Sequence, residues 1–164
     1  MQDFLALWGN PTHESFWVLT ARLLVAAVLG ALIGLEREFK KRPAGLRTHM
    51  LVSTAAAAFT VMTFEIYHEM IDLGPANIAR LDPIRVIEAV TAGVAFLAAG
   101  AIIRSGSGDI KGLTTGAAMW MAGAIGVACG AGFFSVAVLV TALVLIITIV
   151  LGVIEKRFLE DDGE

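Results

Sequence analysis

The sequence predicts an all-α membrane protein, a bundle of five transmembrane helices with a periplasmic amino terminus and a cytoplasmic carboxyl terminus. Three observations carry this reading. Five stretches are long and apolar enough to cross a bilayer. One short basic segment, Glu36 to Arg47, separates the first two and fixes how they face. The composition, 57% hydrophobic and 16% charged over 164 residues with mean hydropathy +0.80, departs from that of a soluble domain toward that of a bundle in hydrocarbon. Lipid as the main solvent then restricts non-helical backbone to the surface or to protein-lined cavities.

Residues 1–15 read as a periplasmic segment, residues 16–154 as the transmembrane domain and residues 155–164 as a short acidic cytoplasmic tail. The first segment carries Asp3 and Glu14 and no basic run, so it does not read as a cleaved signal peptide. The spans fall at Phe16 to Leu35, Thr48 to Tyr67, Ile84 to Ile103, Leu113 to Ala131 and Phe133 to Ile154. Each is near the ~20 residues that cover a ~30 Å core. Glu36, Arg37 and Glu38 end the first helix, and Arg47, Thr48 and His49 begin the second after a turn through Pro43, Ala44 and Gly45. The third span carries Arg85 and Glu88 and leads into Arg104, a Ser105 to Gly108 run, Asp109 and Lys111. The fourth, LTTGAAMWMAGAIGVACGA, is mostly Gly, Ala and Thr, which lets neighbouring backbones approach closely, and it reads as the central helix. The fifth is bulky, β-branched and uncharged, as a lipid-facing helix would be.

Lys and Arg set the orientation. Arg37, Lys40, Lys41, Arg42 and Arg47 lie in the first connection, Arg104 and Lys111 in the third, and Lys156 and Arg157 in the tail, against Arg80 alone in the second and none in the fourth. The positive-inside rule puts the rich side in the cytoplasm. Trp8, Phe16, Trp17, Tyr67 and Phe133 then fall near the outer interface, where amphipathic rings are expected.

Charges within spans ask for a partner or a use. By helical rise, Arg22 lies ~9 Å below the outer boundary, Glu88 ~6 Å, Glu65 ~3 Å and Arg85 ~1.5 Å. These four make a candidate outer polar layer in which Arg85 and Arg22 reach Glu88. One reading is a proton- or cation-responsive site at Glu88; the favoured one is mutually neutralising ion pairs, because two arginines against two glutamates leave no net negative charge for a divalent cation. A second candidate set lies at the cytoplasmic level: Glu36, Arg37, Arg47, Thr48, Arg104, Asp109, Thr114 and Thr115. The helix start at Thr114 and Thr115 beside Lys111 favours an anion, with lipid contact or simple capping preferred over a nucleotide because RSGSGDIKGLTTG lacks Walker A order. Lys40, Lys41 and Arg42 read as an anchor to anionic lipid.

Other chemistries find little support. Cys129 is the single cysteine, so no intramolecular disulfide or cysteine zinc site can form within the chain. His13, His49 and His68 fall at three different places on the topology, so no histidine metal site is expected, and Met119 and Met121 read as gap fillers beside a packed Trp120. No nucleophile and base converge, so an enzyme is not expected, nor a cofactor. The net charge of −3 predicts no nucleic-acid partner. Gly30 to Gly34, Gly112 to Gly116 and Gly126 to Gly130 are GxxxG spacings; packing within one subunit is favoured over a homodimer or higher oligomer, which stays open.

Several motifs closely resemble the MgtC/SapB family of bacterial inner-membrane proteins: LGALIGLERE at Leu29 to Glu38, AGLRTHMLV at Ala44 to Val52, DPIRV at Asp82 to Val86, FLAAGAII at Phe96 to Ile103, and GLTTGAAMW with AIGVACGAG up to Gly132. The resemblance implies a multi-pass inner-membrane domain linked to magnesium limitation, acid stress or survival inside host cells, some members acting on other membrane proteins. The family's motif positions here are Glu36, Arg37, Gly45, Leu46, Arg47, Thr48, Asp82, Arg85, Gly100, Gly112, Leu113, Thr114, Thr115 and Trp120. Thr114 stands where some relatives have Asn, Glu88 where Gln is expected, and Ala95 and Ala98 where Gly is expected. Many relatives carry a soluble domain after the fifth helix, whereas this sequence ends at EKRFLEDDGE, so regulation is expected to use the bundle or its tail. The expected function is a non-enzymatic regulator of another inner-membrane complex; the alternatives are a small oligomeric transporter or channel for Mg²⁺, K⁺, H⁺ or a small solute, and a structural envelope protein.

Overall fold

A computed structural model describes residues 12–72, 82, 84–103, 112–154 and 157. Among these residues the regular structure is entirely helical, and five helices are long and apolar enough to span a membrane. They are α1 (Phe16–Phe39), α2 (Leu46–Asp72), α3 (Ile84–Ile103), α4 (Leu113–Gly130) and α5 (Phe134–Ile146), the last continued by a π-helical turn, Ile147–Leu151. Helices α1 and α2 run past their apolar stretches because a continued helix keeps backbone groups hydrogen-bonded and lets terminal charges reach the interface. Glu36 and Arg37 thereby sit inside α1, and Arg47, Thr48 and His49 inside α2.

Local chemistry sets the ends. The Ser15 hydroxyl accepts from the Val18 amide and caps α1. At the other end of α1, Lys41 adopts φ 52° while the Arg42 amide donates to the Arg37 carbonyl at 3.0 Å and the Lys41 amide to the Glu38 carbonyl at 2.9 Å. That is a Schellman closure with lysine where glycine is usual, and Pro43 follows it. The Glu38 carboxylate then accepts from the Leu46 amide at 3.0 Å, placing a negative charge on the first turn of α2. Asp82 caps α3 by accepting from the Ile84 amide at 2.9 Å. A second Schellman closure at Gly132, φ 82°, turns α4 back into α5 within three residues.

Helix α4 is central and touches each of the other four. The Gly30–Gly34 and Gly126–Gly130 pairs are used for packing inside the subunit. A methyl at Gly30 would lie 2.7 Å from the His49 carbonyl oxygen, and one at Gly34 2.7 Å from Leu46 Cα, so α1 and α2 cross backbone to backbone. Gly126 and Gly130 do the same for α4 on α2, against Ser53 and Ala57, and Gly116 rests on Ala98 and Ile102 of α3. Ala26, Ile33, Ala57, Ile125, Cys129 and Ala137 form a fully buried apolar plug between the two ends. Helix α5 presents bulky residues outward, as expected, and Phe16, Trp17 and Phe133 are exposed at the end opposite the α1–α2 turn. Helix α3 is the least covered: only Val94 and Ala98 are buried among its described side chains.

Candidate functional site

At the turn end of the bundle, α1, α2 and α4 enclose polar side chains. Arg37, His49, Ser53 and Thr115 are at most 2% exposed, with Glu36 beside them. Arg37 comes inward because it lies seven residues after Gly30 on the face of α1 that meets α2 and α4. Its Nη2 donates to Thr115 Oγ1 at 2.5 Å, joining α1 to α4. Lys40 Nζ stands 2.6 Å from Glu36 Oε1, an ion pair without hydrogen-bond alignment, and donates to the Thr148 carbonyl of the π-helical turn at 2.7 Å. The His49 Nδ1 lies 2.9 Å from the Gly45 carbonyl. A carbonyl only accepts, so Nδ1 donates to it.

Several of these atoms are buried without a hydrogen-bond partner: Arg37 Nε, both Glu36 carboxylate oxygens, His49 Nε2 and Ser53 Oγ. They mix donors with acceptors, the chemistry of a small hydrated pocket or a proton-accepting cluster. Among the described residues no group of three or more His, Cys, Asp and Glu is arranged for a metal ion. The Arg37 guanidinium also opposes a cation there.

Of the other residues expected at this level, Arg47 and Thr114 are exposed and Thr48 is half-buried. Arg104, Asp109 and Lys111 lie outside the described residues, as do Trp8 and Arg80. Lys41 and Arg42 are exposed, consistent with lipid contact, but Lys40 is engaged by Glu36 and Thr148. His49, Ser53 and Glu38 carry more of this end than sequence reasoning assigned them. The signal for the first two was the small and polar stripe His49, Ser53, Ala56, Ala57 and Thr60, spaced three and four apart along α2.

The expected outer layer does not assemble. Arg22 Nη2 pairs with Glu14 at 2.9 Å and Nη1 donates to the Gly130 carbonyl at 3.1 Å, so Glu88 is not its partner. Glu65 accepts from the His13 and Glu14 amides at 2.6 and 3.3 Å, stitching the segment before α1 onto α2. Arg85 and Glu88 are exposed on α3, and among the described residues neither forms an ion pair. The histidines are not all apart: the rings of His13 and His68 meet edge to face with centroids 4.0 Å apart. His49 stands alone in the turn-end cluster.

Comparison with known proteins follows the same motifs. The MgtC family model matches residues 23–157, most of the bundle. The chain belongs to the MgtC family. Protein MgtC of Salmonella typhimurium strain LT2 is 39% identical over 135 residues, covering 82% of this chain and 53% of that protein. Protein MgtC of Brucella abortus is 38% identical over 145 residues, 88% of this chain and 54% of its own length. An uncharacterised protein of Haemophilus influenzae is 36% identical over 137 residues, 84% of this chain and 56% of that protein. The chain thus spans about half the length of the curated MgtC relatives it matches. No solved structure matches it.

Proposed function

We propose that this MgtC-family chain is a non-enzymatic regulator in the bacterial inner membrane, acting on another membrane protein by taking one of its helices beside α3. The observation that carries the reading is the incomplete packing of α3. One apolar groove of about 520 Å³ opens between α2, α3 and α4, lined by Thr60, Phe64, Val90, Thr91, Trp120 and Val127. A second, of about 670 Å³, opens between α2 and α3, lined by Ala55, Phe59, Met62, Ile66, Ala89 and Gly93. Lipid tails are as apolar as these walls, so a partner helix gains by shape and van der Waals contact, which small residues and clefts favour. The turn-end polar cluster supports the reading by tying α1, α2 and α4 into one unit against which α3 and a partner pack. On this reading the turn end is cytoplasmic, and regulation answers the Mg²⁺ limitation or acid stress associated with the family.

Photocrosslinking tests it. A benzoylphenylalanine at Phe59 or Trp120 is expected to trap one membrane protein in native membranes, and Ala55→Trp, which fills a groove, to remove the adduct at Phe59. A probe at Leu139 on α5 should trap only lipid. Adducts with lipid alone from all three positions would refute the reading.

The unpartnered polar atoms at the turn end favour a second reading, in which the chain moves a cation or proton. The fully buried plug between that cluster and the opposite end argues against a continuous path. Liposomes holding the purified chain distinguish the two: no change in Mg²⁺, K⁺ or proton flux is expected.

A further inference from the structure

The π-helical turn Ile147–Leu151 near the end of α5 is not explained by its own residues. ITIVL holds no Pro or Gly, and a π turn is a rare interruption of an α-helix. It also leaves a polar group to satisfy. Where i→i+5 pairing returns to i→i+4, the backbone amides skip one carbonyl, which needs another donor. The second residue of this turn, Thr148, is supplied from outside the helix: Lys40 Nζ donates to its carbonyl at 2.7 Å. Glu36, buried near the end of α1, holds the ammonium with Oε1 at 2.6 Å. Gly152 gives it room, since a methyl there would lie 3.1 Å from Nζ.

We infer that Lys40 is a latch that sets the register of α5: while its ammonium supplies the Thr148 carbonyl the π turn persists, and when it leaves, the turn closes into ordinary α-helix. An ordinary helix skips no carbonyl, so it is the favoured form without the ammonium in the hydrocarbon that the exposed Val150 and Leu151 face. Ala137, Thr141 and Val144 are buried in the bundle and keep the first part of α5 fixed. Closing the turn takes up one residue, so the helix beyond it rotates by about 100° and shifts by about 1.5 Å. Leu151 then comes to the place that Gly152 holds beside Lys40. Its side chain fills the space of the ammonium, so the two registers exclude each other, as a bistable element requires. The latch runs from the turn-end cluster, through the charge of Glu36, to the end of α5. Any group that draws Lys40 away from Glu36 thus moves that end, with or without a partner helix beside α3.

Two measurements in lipid test the latch. In a chain carrying ¹⁵N-lysine and ¹³C-carbonyl threonine, solid-state NMR should show transfer from a lysine Nζ to a threonine carbonyl that Lys40→Met abolishes. Spin labels in nanodiscs then read the register, with Cys129 left in place because it is fully buried. Ile154→Cys, beyond the turn, is paired with Leu51→Cys on α2 and, in a second chain, with Leu24→Cys on α1, so that a rotation hidden along one line is read along the other. Leu143→Cys, before the turn, replaces Ile154→Cys in the controls. All four positions are exposed. Lys40→Met should change at least one Ile154 distance by about 3–4 Å, the displacement of a Cα carried through that rotation and shift, and leave the Leu143 distances within about 1 Å. Glu36→Gln, which removes the charge that holds Lys40, should move part of the population the same way. Absence of the transfer, Ile154 distances that ignore Lys40→Met, a Glu36→Gln chain identical to the parent, or equal movement of Ile154 and Leu143, as when α5 leaves the bundle whole, would each overturn the inference.

Discussion

Replacing Thr115 with valine probes the polar lock at the turn end with almost no change of shape. The substitution removes the oxygen that accepts from Arg37 Nη2 at 2.5 Å and leaves a buried guanidinium whose Nε already lacks a partner. A hydrogen bond to a charged group contributes about 1.5–3 kcal/mol in soluble proteins. Between membrane helices, measured couplings average about 0.6 kcal/mol and reach about 1.7, because the unfolded chain in lipid also finds partners. The charge on Arg37 and its near-complete burial favour the upper part of the membrane range and the lower part of the soluble one. The expected destabilisation is therefore about 1.5–2 kcal/mol, roughly a 10- to 30-fold shift in the unfolding equilibrium. Steric trapping or reversible denaturation in mixed micelles measures it. Thr115→Ser keeps the oxygen and loses one methyl, so it should cost no more than about 1 kcal/mol. Thr115→Val as stable as the parent chain, or Thr115→Ser as damaged as Thr115→Val, would refute the lock.

Gly126→Ala would drive a methyl into the Ser53 carbonyl and should cost at least about 1–3 kcal/mol by forcing α4 off α2, whereas Gly93→Ala meets open space and should leave monomer stability in detergent unchanged or raised by up to about 1 kcal/mol; thermal unfolding of both variants checks the contrast. Lys41→Gly should stabilise the fold by up to about 1 kcal/mol, because glycine adopts the φ of 52° at the end of α1 without the steric cost a lysine carries; the melting temperature reads this. Glu38→Ala removes the acceptor on the Leu46 amide and should cost about 0.5–2 kcal/mol, with Glu38→Gln losing less in the same denaturation assay. Glu65→Ala removes the acceptor for the His13 and Glu14 amides and should speed their hydrogen exchange while amides inside α4 stay protected.

The architecture was legible because a bilayer leaves few choices. Apolar runs of about 20 residues mark helices regardless of their neighbours. The Gly, Ala and Thr content of α4 marked it as central, and glycine contacts to α2 and α3 show why. The pairing of polar residues was not legible. Ordering Arg22, Glu65, Arg85 and Glu88 by depth gave a height for each but no direction around its helix. Direction decided the outcome: Arg22 lies over Gly132 and reaches Glu14 and the Gly130 carbonyl. Lys40 resembled a lipid anchor because its partners are distant in sequence or hidden in a helix irregularity, Thr148 standing 108 residues away in a π-helical turn. His49 was weighed only as a metal ligand. Its place in a stripe with Ser53, facing Gly30, is a property of two helices together.

The uneven packing of the bundle follows from the forces available in lipid. Burial from water cannot bind one apolar helix to another there, so contacts must come from close backbone approach or from polar groups with nowhere else to go. Helices α1, α2 and α4 use both, through Gly30, Gly34, Gly126 and Gly130 and through the bond from Arg37 to Thr115. Helix α3 has neither on the same scale, being joined to α4 at Gly116 and Gly123 and scarcely to α2. Among the described residues, its grooves, its bare glycines and its exposed Arg85 and Glu88 are contacts left unmade. A partner helix seated against α3 would make them by the same two means, close approach over its small residues and pairing of its charges.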